Sequence, residues 1–155
     1  MKMIKKIVYS SLFILFGITI YAYYMGIMPV SYKFHSKYYS SSQIFMDGYD
    51  IVNYHIKSTH IKGNVNFRYE HDDIVWYFSS KKNLKRFTAN PKRYVPQFGG
   101  YCTYYISKGF TFSSDPKAWH LSEGKIYFFK DQDTKENALE DWKNIINKAT
   151  EKWQY

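Results

Sequence analysis

From Ile7 to Val30 the chain is uncharged and dominated by Ile, Leu, Phe and Tyr, with Lys2, Lys5 and Lys6 just ahead of it. A helix rises about 1.5 Å per residue against a hydrocarbon core of roughly 30 Å, so a run of this length spans a bilayer. Lysines on its leading side hold that end in the cytoplasm and place the remainder of the chain outside. A cleavable signal peptide competes, with Ala22 at the cut. Ile20 fits the small-x-small cleavage pattern poorly, so an uncleaved anchor is preferred. Residues 1–30 are read as a signal anchor or signal peptide, 31–42 (SYKFHSKYYSSS) as a polar tether, and 43–155 as one domain outside the cytoplasm, periplasmic if the cell is Gram-negative.

Beyond the tether the periodicity changes repeatedly. Phe67 to Glu70, a polar turn through His71, Asp72 and Asp73, and the β-branched and aromatic run Ile74 to Phe78 predict a hairpin. Ser80 caps a predicted helix from Lys81 to about Thr88, with Leu84 and Phe87 inward and Pro91 preventing its continuation. Tyr54 is read as lying in a strand, and Tyr101 to Ile106 is strand-like. A second hairpin is predicted around Ser122-Glu123-Gly124, with Trp119 and Leu121 before it and KIYFFK after it. Leu139, Trp142, Ile145 or Ile146, Ala149 and Trp153 recur at helical spacing and predict one long closing helix, capped by Asp133 or Thr134. The fold class is α+β: a small antiparallel sheet, one short inserted helix and a long C-terminal helix, preceded by the apolar helix.

Aromatic residues make up 21% of the chain, with 17 Tyr and 12 Phe, so the core is built from large flat side chains. In such a core Tyr49, Trp76, Tyr101 and Trp119 are read first as packing. The formal charge is +9, and part of the excess lies in KKNLKRFTANPKR, where Lys81, Lys82, Lys85, Arg86, Lys92 and Arg93 stand without an acid. Export argues against a nucleic-acid partner for this patch. A solvated helix face comes first, and attraction to anionic headgroups second.

DGYDIVNY (47–54), WYFSSKKNLKRFTANPKRYVPQFGGYC (76–102), DPKAW (115–119) and GKIYF (124–128) together resemble the YHS-domain family, in its exported stand-alone branch. The resemblance implies a small α+β module and, in the cysteine-bearing branch, binding of copper or a similar soft metal. That branch carries thiols at three positions occupied here by Asp50, Ser79 and Asn83, which are oxygen donors ill suited to Cu(I) or a tetrahedral thiolate site. The family's fold is expected, its thiolate site is not. No catalytic constellation is recognised.

Any sulfur chemistry then falls to Cys102, the only cysteine, which cannot form an internal disulfide. Three readings stay open. A small buried apolar side chain is preferred. A copper ligand comes second, with His120 approaching from a strand and Met46 as third donor. His35, His55, His60 and His71 form no sharp motif with them. A redox or catalytic thiol comes third, since nothing places a cation or helix terminus beside it. Gly99 and Gly100 are read as permitting a positive φ, and Asp47 and Asp50 as capping or turn residues.

Overall fold

The computed structural model describes residues 2–40 and 42–153. Helix α1 (Lys2–Tyr24) is long and apolar enough to cross a membrane, and none of its apolar window is buried against the rest of the chain. The α+β class holds. Helix α2 (Ile51–Lys57) precedes a hairpin of β1 (Asn64–His71) and β2 (Ile74–Phe78), followed by α3 (Lys81–Ala89) and the single turn α4 (Pro91–Tyr94). After α5 (Thr103–Lys108) come a second hairpin, β3 (Asp115–Ser122) and β4 (Lys125–Phe129), and then α6 (Gln132–Glu140) and α7 (Trp142–Lys152). The strands form two separate two-stranded antiparallel sheets, where the sequence predicted one.

Strand β4 is the wall between two aromatic cores. Its register sets Trp119 opposite Phe128, His120 opposite Tyr127 and Leu121 opposite Ile126. Because side chains alternate across a strand, Ile126 and Phe128 enter one cluster while Tyr127 and Phe129 enter the other. The first cluster gathers Phe45, Met46, Tyr54, Trp76, Phe78 and Phe87; Phe45 stacks on Trp76 with ring centres 4.0 Å apart. The second gathers Cys102, Ile106, Ala138, Ile145 and Ala149 under α7. Trp76 and Tyr101 are buried and Tyr49 and Trp119 pack against the first cluster, in line with a packing role.

Four expectations need correction. Tyr54 lies in a helix, because the Asp50 side chain accepts from the Val52 N–H and starts a turn that Ser58 ends in the left-handed region. Tyr101 to Ile106 is not a strand: Cys102 sits at the start of α5, and Gly109 (φ +96°) closes it. Aromatic composition suggested a strand, but Thr103, Ile106 and Ser107 are buried at helical spacing, and the Lys152 ammonium donates to the Ser107 carbonyl at 2.9 Å. The closing helix is two helices, broken at Asp141 (φ −130°, ψ 46°), and the first is capped by Asp131 rather than Asp133 or Thr134.

Finally, the polar tether is not a free linker. Within it His35 and Tyr38 are buried and the Tyr39 N–H donates to the Gly99 carbonyl at 2.9 Å; just ahead of it Val30 is buried and the Thr111 N–H donates to the Met28 carbonyl at 2.8 Å. The chain leaving α1 is therefore stitched into the domain within a few residues.

Candidate functional site

Asp50 stands at the amino end of α2 and is fully buried. Its Oδ1 accepts from the Val52 N–H at 3.0 Å. Its Oδ2 accepts from Asn53 Nδ2 at 3.0 Å, from the Ser79 N–H and Oγ at 2.7 Å each, and from Asn83 Nδ2 at 2.7 Å. Asn53 Nδ2 also reaches Ser79 Oγ at 2.9 Å, and Asn83 Nδ2 reaches Asn53 Oδ1 at 3.1 Å. Arg86 closes the chain by donating to Asn83 Oδ1 at 3.2 Å. A buried carboxylate is costly unless hydrogen bonds saturate it, and here five donors do so without a directly paired cation among the described residues.

Local sequence explains the convergence. Asp50 and Ser80 cap α2 and α3, so both helices begin at the same place and aim their positive ends toward the carboxylate. Ser79 directly follows β2, and Asn83 lies in the first turn of α3. Asp50, Ser79 and Asn83, the three oxygen-donor side chains singled out in the sequence, bring their polar tips together at one point. The sequence reading did not pick out Asn53, and it named Arg86 only as part of the basic run. The spacing Asp50-x-x-Asn53 at a helix start was the available signal.

Over this network lies a cleft of about 530 Å³ bounded by Lys57, Lys82, Arg86, Ser79 and Ser80. Ile56 and Ile61 supply its apolar side. Asp50 is fully buried and does not line the cleft, and the Ser79 hydroxyl is donated to Asp50, so what the cleft offers a ligand is positive charge and the Ser80 hydroxyl.

The copper constellation does not assemble. Met46 belongs to the cluster on the Phe128 face of the β3–β4 hairpin, whereas His120 lies opposite Tyr127 and packs its ring on Trp142 with centres 5.1 Å apart. The two are on opposite faces of one sheet, so no ion reaches both. Cys102 shares the second cluster with Phe129, Ile106 and Ala149 and is fully buried. Among the described residues no group of three His, Cys, Asp or Glu side chains is placed to hold a metal ion. Cys102, His120 and Met46 do not fit a soft-metal site.

Nor does Cys102 have the setting of a nucleophile. Burial pushes its thiol up, against an opposing pull from backbone N–H groups of Tyr105, Lys130 and Tyr104. The folded protein at neutral pH is expected to react with maleimide at least about a hundredfold more slowly than in urea. Native labelling at the denatured rate would restore the thiol as a functional group.

Comparison with family models, with curated proteins and with solved structures finds no match for this chain.

Proposed function

We propose that this protein is a membrane-anchored, non-catalytic binding module of the YHS type, displayed outside the cytoplasm, whose thiolate site has been replaced by a hydrogen-bonded lock. The observation that supports it most is the meeting of Asp50, Ser79 and Asn83. They are 29 to 33 residues apart across the pairs Asp50–Ser79 and Asp50–Asn83, yet Ser79 and Asn83 both touch the Asp50 carboxylate. Positions that the resemblance assigns to one metal site thus share one site here. The anchor is α1, and the stitched segment after it holds the module close to the bilayer surface.

Restoring the sulfurs tests this. In a Cys102→Ser background, full-length chain carrying Asp50→Cys, Ser79→Cys and Asn83→Cys is expected to bind about one Cd²⁺ per chain, seen as thiolate-to-cadmium charge-transfer absorption, while the background protein binds none. A folded triple variant that takes up no Cd²⁺ would remove the YHS assignment. The double variant Ser79→Cys/Asn83→Cys, which keeps Asp50 as cap, is the fallback if the triple variant does not fold. It should bind the same ion more weakly.

A further inference from the structure

Most lysines that make a described polar contact are neutralised or tied down locally. Lys37 pairs with Asp72 and Lys130 with Asp131, while Lys62 and Lys152 donate to the carbonyls of Asp47 and Ser107. The cations of α3 are not tied down in this way, apart from the Arg86 bond to Asn83. Lys81, Lys82, Lys85 and Arg86 share a nine-residue helix whose first turn has no acid. None of them forms an ion pair with a described residue. Lys81 and Lys82 moreover stand at the positive end of the helix dipole, where a cation is disfavoured and an anion favoured. Charge placed against the dipole, unpaired and beside a cleft, is relieved by a bound anion.

The cleft over the Asp50 network has the means to hold one. Lys57 arrives from α2, Lys82 and Arg86 from α3, and Ser79 and Ser80 from the turn between β2 and α3. Arg86 is oriented by its bond to Asn83 Oδ1, and Asn83 is itself 4% exposed and fixed by Asp50. The guanidinium is thus pre-set by a buried network rather than waving in solvent. Among the described residues no carboxylate lines the cleft, and Asp50 is fully buried. Three cations of different reach, the Ser80 hydroxyl and a helix amino end suit a tetrahedral dianion better than a planar monoanion.

We propose that this cleft binds a phosphate group, with Arg86, Lys82 and Lys57 as its charged contacts. The assignment goes beyond the YHS reading and does not require it, so the cadmium experiment and the phosphate titration fail independently. Phosphate chemistry reaches an anchored domain from two sources, a soluble phosphate compound or a lipid headgroup.

Full-length protein in zwitterionic nanodiscs is titrated with inorganic phosphate while backbone amide shifts are followed. Saturable shifts are expected at Lys81, Lys82 and Asn83. Lys57→Gln/Lys82→Gln, which leaves the Asp50 network untouched, is expected to weaken the affinity by about tenfold, and Lys82→Gln/Arg86→Gln by at least as much. Lys92→Gln/Arg93→Gln removes equal charge outside the cleft and should leave it within about twofold. In discs containing phosphatidic acid, the same amides shifting without added phosphate identifies the headgroup as the source. Their staying in place while phosphate still binds identifies a soluble one. Shifts that do not saturate, or equal weakening by the Lys92/Arg93 pair, would overturn the proposal in favour of diffuse surface charge.

Discussion

Asp50→Ala is expected to lower the stability of the domain by about 3–5 kcal/mol, read as a fall in the urea midpoint at unchanged slope. The substitution strips the acceptor from five donors at once and leaves Asn53, Asn83 and Ser79 to find partners where little water reaches them. It also uncaps α2 at the same stroke. Against a typical total of about 5–15 kcal/mol, a loss of this size leaves a marginal fold. Asp50→Asn keeps the volume and separates the causes. It turns one acceptor into a donor facing other donors, so it should still be clearly destabilising. A neutral Asp50→Asn would mean that shape, and not acceptance of hydrogen bonds, holds the two helix starts together.

Gly99→Ala is expected to cost about 2–5 kcal/mol, combining left-handed backbone strain with overpacking against fixed atoms. Gly99 has φ +61°, and a Cβ there would overlap the Lys37 carbonyl oxygen, which is backbone and cannot swing aside. Its own carbonyl accepts from the Tyr39 N–H at 2.9 Å. The damage should therefore fall on the seam between the post-anchor segment and the domain, and limited proteolysis should begin to cut within residues 31–40. Gly124→Ala is the matched control. It has φ +71° but nothing within 4 Å of the added carbon, so only the backbone strain of about 1–2 kcal/mol remains. Equal losses for the two, with no new cleavage near Lys37, would show that the segment is not docked through Gly99.

Several features were legible because a single local rule decides each. The uncharged run behind three lysines reads as an apolar helix in any context, since length and hydropathy suffice. Both hairpins were readable from short polar turns between aromatic and β-branched strands, and Ser80 before an amphipathic run marked the start of α3. The resemblance to YHS domains picked out Asp50, Ser79 and Asn83 as a set, although it did so through what they lack. It had no means of showing that the replacements bond to one another.

The misreadings have a common physical source. Tyr54 and the stretch from Tyr101 to Ile106 carry β-branched and aromatic residues, and composition of that kind favours strands only when a partner strand is present. Here caps and glycines settle the matter locally, through Asp50 in one case and Gly109 in the other, while burial of Ile106 against α7 completes it. For Cys102 the preferred reading, a small buried side chain, agrees with the structure, and the copper alternative with His120 and Met46 is not assembled. Sequence shows which donors exist but not on which side of a sheet they emerge, and the one-residue alternation along the β3–β4 hairpin leaves Met46 and His120 on opposite faces.

By itself, then, the order of residues determined the apolar leader, the alternation of hairpins and helices, the α+β class and the concentration of positive charge on α3, because these arise from periods and compositions within a dozen neighbours. Only the packed chain decided that Asp50 meets Ser79 and Asn83, that Arg86 hangs from that network beside Lys57 and Lys82, and that Cys102 is buried in the second core. Those outcomes depend on where separate elements stop and which faces they turn to one another, and such distances between remote side chains are set by core packing rather than by any local preference.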